Sequence, residues 1–101
     1  MLYYGLYWSE WWLLHHGLYP PLWRMGTKDS LLQGRIIKEV RRFGECEIYF
    51  THQEWNEHRP RDEIILLVPV RLHLPDQITD GEWEEFKKQI DAYRHEHTEV
   101  A

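Results

Sequence analysis

The clearest pattern of apolar and polar positions lies between residues 79 and 95 and predicts an amphipathic helix. Apolar side chains recur there at spacings of three, four and three, which places them on one helical face. These side chains are Trp83, Phe86, Ile90 and Tyr93. Residues 79–82 read Thr-Asp-Gly-Glu, a capping-box sequence in which the Thr and Glu side chains satisfy backbone N–H groups of the first turn. We therefore predict a helix from about residue 80 to about residue 95.

Alternating positions predict two strands before this helix, and composition predicts a third. Every even position from 64 to 74 is apolar, whereas the odd positions are apolar only in the first half of the segment. We expect this first half to be buried on both faces, and Pro69 to mark an edge, a bulge or a break. Residues 45–51 alternate in the same way, with Cys46 on the apolar side. Residues 2–8 suit a strand because they are rich in aromatic side chains.

Residues 31–43 are open to two interpretations. As a helix, the segment carries an apolar stripe at spacings of four, four and three, and Gly44 provides a C-terminal stop. As a strand, residues 35–42 would pair with residues 45–51 through a tight turn. The helical pattern is the more amphipathic of the two, so we favour a helix.

Together these elements predict an α+β fold: a small, mainly antiparallel sheet with the C-terminal amphipathic helix packed on one face. The rest of the N-terminal segment is predicted as a short helix, capped by Ser9 and ending at Gly17, and then a loop to Asp29. The length of 101 residues fits a single domain over residues 1–101.

The net charge limits the kinds of partner that we expect, and the cysteine content indicates the cellular compartment. The formal net charge is −5, so a dedicated nucleic-acid binder, which would normally be basic, is not expected. The charge is uneven, since residues 24–44 carry +4 and residues 45–101 carry −8. Because Cys46 is the single cysteine, an internal disulfide is excluded, which favours a reducing, cytoplasmic location. Glycine and proline interrupt the apolar N-terminal run, so no membrane span is predicted.

No sequence motif indicates a catalytic or metal centre. The seven histidines lack zinc-ligand spacing, and the chain has neither a nucleophile elbow nor a Gly-rich phosphate loop. Cys46 is expected to be buried and unreactive. Residues 52–63 are rich in imidazole, carboxylate and guanidinium groups, which are the groups of acid–base catalysis. We predict no cofactor, no metal and no catalytic residue; a small metal-dependent or acid–base enzyme that uses this segment is our third hypothesis.

Aromatic side chains are the most unusual feature of the composition. The first 23 residues hold eight of them and one formal charge, Glu10. Such a cluster is either a dense core or a contact surface, because Tyr and Trp dominate both. If residues 31–43 are helical, their basic side chains form a strip that suits an acidic partner. The predicted partner-binding residues are Tyr4, Tyr7, Trp8, Trp11, Trp12, Trp23, Arg35, Lys38, Arg42, Trp55, Arg59 and Arg61.

The first hypothesis is therefore non-catalytic binding of another protein through the aromatic N-terminal surface, as in an inhibitor, adaptor or immunity-type protein. In its compact, acidic and motif-free character the chain resembles small proteins encoded by phages and other mobile elements. The alternative is a structural or assembly subunit of the virion type, which binds copies of itself through the same surface. The two hypotheses differ in whether the isolated chain associates with itself.

Overall fold

One antiparallel sheet and a C-terminal helix make up the fold. The computed structural model describes residues 2–7, 16–17, 23–53, 62–71 and 78–97. Within them the strands are β1 (Leu2–Tyr7), β2 (Arg24–Thr27), β3 (Arg35–Phe43), β4 (Cys46–Gln53) and β5 (Asp62–Pro69), and the helices are α1 (Lys28–Leu31) and α2 (Asp80–Glu96). The strand order is β2-β1-β5-β4-β3, and each neighbouring pair is antiparallel. The predicted α+β architecture is confirmed.

The main core lies between α2 and one face of the sheet, which we call the helix face. α2 buries Phe86, Ile90 and Tyr93 of the predicted apolar stripe. The sheet contributes the even positions of β4 and β5, because alternate side chains of a strand point to the same side. The buried residues of this core are Leu6, Phe43, Cys46, Ile48, Phe50, Ile64, Leu66, Val68, Phe86, Ile90 and Tyr93. Full burial of one large apolar side chain contributes about 1.5–3 kcal/mol.

A smaller core lies on the opposite side of the sheet, which we call the tyrosine face because it carries Tyr3, Tyr7 and Tyr49. Its buried residues are Leu31, Leu32, Tyr49, Ile65 and Leu67, with Tyr3 and Tyr7 packed against them. Gly26 of β2 permits the close approach of α1, since a Cβ atom there would lie 2.5 Å from Oγ of Ser30. β5 is the central strand, so residues 64–68 are buried on both faces, as the alternation predicts.

The helix favoured over residues 31–43 is wrong, because most of that segment forms β3. The alternative strand over residues 35–42 is the correct interpretation, and it pairs with β4 along its whole length. Gly44 has a φ of +55°, which allows the tight turn between the two strands. The ladder satisfies the backbone N–H and C=O groups of β3 that face β4, and this pairing overrides a helical periodicity that only local sequence supports.

The N-terminal predictions are confirmed for the strand and corrected for the loop. β1 occupies the predicted strand, but the predicted loop from Gly17 to Asp29 contains β2, which pairs with β1 at the edge of the sheet. β2 has only four residues and no alternation of burial, so periodicity could not reveal it. The helix predicted from Ser9 lies outside the described residues except for residues 16–17, which form a turn.

The ends of β5 and α2 agree with their sequence signals. β5 ends at Pro69, the residue predicted to mark an edge, a bulge or a break, and residues 72–74 of the longer predicted strand lie outside the described residues. α2 covers the predicted helix and extends it by one residue, to Glu96. Neither described helix is long and apolar enough to cross a membrane.

Replacing Thr79 with alanine is expected to destabilise the protein by about 1 kcal/mol. Oγ1 of Thr79 accepts a hydrogen bond from the Glu82 backbone N–H at 3.2 Å, and the Glu82 carboxylate accepts one from the Thr79 N–H at 3.0 Å. Alanine removes the first of these bonds, whereas serine keeps a hydroxyl at the same place. Urea unfolding of Thr79→Ala and Thr79→Ser measures the difference; equal losses in the two variants would contradict the capping role.

Candidate functional site

The structure divides the predicted partner-binding residues between the two faces of the sheet. Tyr7, Arg35 and Arg42 lie on the tyrosine face, whereas Tyr4, Trp23 and Lys38 lie on the helix-face side. The other six lie outside the described residues: Trp8, Trp11, Trp12, Trp55, Arg59 and Arg61. The predicted set therefore does not form one continuous patch within the part of the chain that the structure describes.

The predicted basic strip is split because β3 is a strand and not a helix. Alternate residues of a strand point to opposite sides, and the register with β4 shifts between Ile37 and Glu39. Lys38 lies at this bulge, and its Nζ donates a hydrogen bond to Oδ2 of Asp62 at 2.9 Å. The expectation that Arg35, Lys38 and Arg42 share one face is therefore wrong for Lys38.

Tyr4 and Trp23 serve packing on the helix-face side. Their rings meet edge to face, with 6.5 Å between ring centroids, and Trp23 packs against the main core. Edge-to-face aromatic pairs contribute about 0.5–1.5 kcal/mol beyond their buried area. These two members of the aromatic cluster are partly enclosed by the domain itself.

Tyr7 is the centre of a cation–π arrangement on the tyrosine face. The guanidinium of Arg24 lies 4.3 Å from the ring centroid and that of Arg35 lies 4.6 Å from it. The Tyr7 hydroxyl donates a hydrogen bond to the backbone carbonyl of Leu31 at 3.3 Å, which fixes the ring. Arg35 also donates to Oε2 of Glu63, with N–O distances of 2.8 and 2.9 Å, so its planar head group is held in place.

Tyr49 is the centre of a second cation site on the same face. Nζ of Lys28 lies 5.2 Å from the Tyr49 ring centroid and 3.8 Å from the Glu47 carboxylate. A hydrogen bond with Tyr49, reinforced by the charge of Glu47, outweighs the opposing effect of burial and raises the pKa of Lys28 above its ordinary value. Arg42 lies 3.6 Å from the other oxygen of Glu47, and its side chain is mostly exposed. Glu47 thus positions two cations.

Two apolar side chains of β3 stand exposed beside these cations. Val40 is directly opposite Tyr49 in the ladder and 43% exposed, and Ile37 is opposite Thr51 and 48% exposed. Opposite partners of an antiparallel ladder point to the same side, so both belong to the tyrosine face. This face therefore carries two exposed apolar side chains on its edge strand β3, and tyrosine rings and oriented cations on the strands and helix to one side of them.

The helix face carries a separate polar cluster beyond its core, at the end of α2. Nδ1 of His52 lies 3.1 Å from Oδ1 of Asp62, while Lys38 bonds the second carboxylate oxygen. Partial burial, the largest single influence, raises the pKa of Asp62, but the hydrogen bonds from Lys38 and His52 outweigh it and hold this pKa below its ordinary value. The hydrogen bond to Asp62 likewise raises the pKa of Lys38. At neutral pH the Asp62–Lys38 pair is therefore ionised.

Beside this cluster, Tyr93 takes part in a stack of three rings. Its ring lies 3.8 Å from that of Phe50 and 4.0 Å from that of His97, measured between centroids. Nδ1 of His97 donates a hydrogen bond to the Tyr93 carbonyl at 2.7 Å, which closes the last turn of the helix. Arg41 pairs with both Glu39 and Glu96, and so joins β3 to the end of α2.

One arrangement among the described residues is relevant to the acid–base hypothesis. An aspartate that holds the imidazole of His52 resembles an acid–base pair, but Lys38 occupies the second oxygen and closes the cluster as an ion pair. Among the described residues no three His, Cys, Asp or Glu side chains are placed to hold a metal ion. Most of the acid–base segment 52–63, with its other histidine His58, lies outside the described residues.

Several residues of these surfaces were not among the predicted partner-binding residues, and Tyr49, Arg24 and Tyr93 are three of them. Tyr49 lies on the same side of β4 as the polar residues Glu47 and Thr51, so the apolar pattern of this strand did not include it. Arg24 fell in a predicted loop, and Tyr93 was assigned to the core alone. A tyrosine on the polar parity of a strand is a signal that could have identified Tyr49. Arg24 and Tyr93 could not be identified in this way, because Arg24 contacts Tyr7 of β1 and Tyr93 contacts Phe50 of β4, both far away in the sequence.

No family model, no curated protein and no solved structure matches this chain.

Proposed function

We propose that this chain is a non-catalytic protein-binding module that docks an acidic partner protein through the tyrosine face. The observation that carries the proposal is the exposed pair Ile37 and Val40 on the edge strand β3, which shares this face of the sheet with the oriented cations and tyrosines. Protein interfaces place an apolar centre inside a polar rim and are enriched in Tyr and Arg. An inhibitor, an adaptor or an immunity-type protein would each act through a surface of this kind.

The cations of this face are positioned before any partner arrives. The guanidinium groups of Arg24 and Arg35 lie 4.3 and 4.6 Å from the centroid of the Tyr7 ring, and Glu47 pairs with Lys28 and Arg42. Fixing a flexible side chain at an interface costs about 0.5–1.5 kcal/mol. Side chains that are already held lose less freedom on binding, so this arrangement favours affinity.

Charge complementarity favours an acidic partner. Among the described side chains of the tyrosine face, the cations outnumber the carboxylates, although the whole chain has a formal charge of −5. The cations are Arg24, Lys28, Arg35 and Arg42; the carboxylates that pair with them are Glu47 and Glu63, and α1 adds Asp29. An excess of one sign on one face speeds the encounter with a partner of the opposite sign and disfavours partners of the same sign.

The test compares two variants of the same strand. Ile37→Ser with Val40→Ser removes the exposed apolar side chains of β3 from the tyrosine face. Ile36→Ser is the matched control, because Ile36 is 45% exposed but lies opposite His52 and points to the other side of the sheet. Immobilised wild-type and variant chains are used to capture proteins from the cells of origin, and affinities are then measured with the purified captured protein. We expect the double variant to bind about 100-fold more weakly and the control to bind as wild type.

Light scattering coupled to size exclusion, run on the same three proteins, separates the alternatives. A wild-type monomer that binds an acidic protein through Ile37 and Val40 supports the proposal. A wild-type oligomer that the double variant dissociates would replace the proposal with the self-associating subunit. Binding that Ile36→Ser weakens as much as the double variant would place the interface elsewhere and overturn the proposal.

A further inference from the structure

The outer backbone edge of β3 is open. β3 is the last strand in the order β2-β1-β5-β4-β3, and among the described strands it pairs with β4 alone. In a strand that is paired on one side only, about half of the backbone N–H and C=O groups point away from the neighbour and have no partner in the ladder. β3 has nine residues and is the longest described strand. It therefore offers a template along which another extended chain could pair.

Proteins usually protect such an edge, and β3 has little protection. The bulge between Ile37 and Glu39 interrupts the edge at one point and leaves residues 39–43 in regular register with β4. The strand contains no proline. Apolar side chains are exposed on both of its sides, with Ile37 and Val40 on the tyrosine face and Ile36 on the other side. An exposed edge of this kind is typical of a site of intermolecular strand pairing.

The exposed charges of β3 are both positive. They belong to Lys38 and Arg42, whereas Glu39, the only carboxylate of the strand, pairs with Arg41. Nζ of Lys38 has three N–H groups and donates one of them to Asp62, and the side chain of Arg42 is mostly exposed. A segment that lies along β3 therefore meets apolar and cationic side chains, and carboxylates are the groups that complement the cations.

The same charges disfavour a second copy of this chain as the occupant of the edge. Each β3 carries four cations and one carboxylate. Two such strands side by side would place cations near cations, and like charges opposite each other destabilise a ladder. An acidic segment brings charges of the opposite sign and avoids this repulsion.

We propose that the open edge of β3 binds an extended acidic segment of a partner protein as a sixth strand of the sheet. Backbone hydrogen bonds provide the pairing, and alternate side chains provide the selectivity. Apolar side chains of the segment lie beside Ile37 and Val40 on the tyrosine face, and its carboxylates lie on the other side, near Lys38. The inference rests on the proposed function, because Ile37 and Val40 serve both, and it adds the conformation in which the partner is bound.

The probe for this test is a capped heptapeptide of alternating glutamate and valine, and its control is the heptapeptide of alternating lysine and valine. Each is titrated into the full chain and followed by ¹H–¹⁵N NMR and by amide hydrogen exchange. Near saturation, the acidic peptide should slow the exchange of those β3 amides that do not donate to β4 at least about tenfold. It should also bind at least about tenfold more tightly than the lysine peptide. β2, the other edge strand, is the internal control, because its four residues are too few for stable pairing.

Two methylated forms of the acidic peptide test the backbone pairing directly. Consecutive N–H groups of an extended chain point to opposite edges, so N-methylation of every valine blocks one edge and N-methylation of every glutamate blocks the other. With the valines on the tyrosine face and one strand direction, a single edge of the peptide meets β3. We therefore expect one methylated form to bind like the unmethylated peptide and the other to bind at least about tenfold more weakly.

Hydrogen exchange in the complex with the purified captured partner separates this inference from the proposed function. Binding that depends on Ile37 and Val40 and slows exchange along the open edge of β3 supports both. Binding that depends on these two residues but leaves this exchange unchanged overturns the strand addition and leaves docking on the tyrosine face intact. Slow exchange along β3 with the acidic peptide, combined with partner binding that is independent of Ile37 and Val40, supports the strand addition and overturns the proposed function.

Four results with the isolated chain and the peptides would also overturn the strand addition. The first two are the absence of saturable binding of the acidic peptide and equally tight binding of the lysine peptide. The third is equal affinity of the two methylated forms. The fourth is a dimer of the free chain in which the outer β3 amides already exchange slowly, because a second copy would then occupy the edge.

Discussion

Replacing Phe50 with alanine is expected to lower the free energy of unfolding by about 3–5 kcal/mol. The Phe50 side chain is almost fully buried in β4, and its ring stacks on that of Tyr93 at 3.8 Å. Alanine removes the buried ring area and the stack, and it leaves a cavity between the sheet and α2. Domains of this size have a total stability of about 5–15 kcal/mol, so the loss would be a large fraction of it.

Urea unfolding measures this loss, which should lower the midpoint by roughly 2 M. Ile37→Ala is the matched control on the neighbouring strand, because Ile37 is about half exposed and its truncation should cost less than about 1 kcal/mol. Similar losses for Phe50→Ala and Ile37→Ala would show that α2 does not pack on the helix face as described. Urea unfolding of the Ile37→Ser/Val40→Ser double variant itself checks that it acts on binding and not on folding.

Cys46 is expected to react with Ellman's reagent at least about a thousandfold more slowly in the folded protein than in guanidinium chloride. Its side chain is 0% exposed, and burial raises the pKa of the thiol to about 12, with smaller contributions from Glu82 and Glu45. At about pH 8 such a thiol is ionised in roughly one molecule in ten thousand, whereas a quarter of ordinary exposed thiols are ionised. Ionisation alone thus accounts for the difference, and lack of access adds to it.

The raised pKa of the Cys46 thiol also makes the free energy of unfolding depend on pH. The folded thiol keeps its proton up to a pKa of about 12, whereas the unfolded thiol releases it near pH 8.5. Between these values the unfolded chain binds fewer protons than the folded chain, so the free energy of unfolding falls as the pH rises, by up to about 1.4 kcal/mol per pH unit. The stabilisation is complete below about pH 8.5 and is lost through this window.

Two variants check the Cys46 prediction. Urea midpoints of wild type and Cys46→Ala at about pH 8 and pH 10 are compared, and the steeper decline should belong to the wild type. Ile37→Cys in the Cys46→Ala background places a thiol at an exposed position of β3, where labelling should be fast. Rapid labelling of Cys46 in the folded wild type, or equal pH slopes for wild type and Cys46→Ala, would contradict its burial in the core.

α2 shows how much of this fold local sequence could predict. Its capping box at Thr79 and its stripe from Trp83 to Tyr93 involve residues three and four apart, and the structure contains both. β5 was likewise predictable, because apolar residues at consecutive positions indicate burial on both faces and hence a central strand. These features depend on contacts within a segment or on the polarity of single positions, which a sequence displays directly.

β3 shows where this reasoning fails. The segment 31–43 has an apolar stripe that suits a helix, yet hydrogen bonds to β4 hold it as a strand. The bulge at Lys38 then turns this residue to Asp62, while Arg35 remains with Tyr7 and Glu63. Neither the choice of strand nor the position of the bulge follows from the segment alone, since both depend on the register with a neighbouring strand.

By itself, the sequence determined the class of the fold, the α2 helix with its cap and buried stripe, and the strand character of β1, β4 and β5. Only the tertiary structure decided which residues meet: Tyr7 with Arg24 and Arg35, and Tyr93 with Phe50 and the neighbourhood of Lys38. The physical reason is the range of the interactions. Turns, caps and periodicity are set by residues a few positions apart, whereas both candidate surfaces are built from strands and a helix that only the order and register of the sheet bring together.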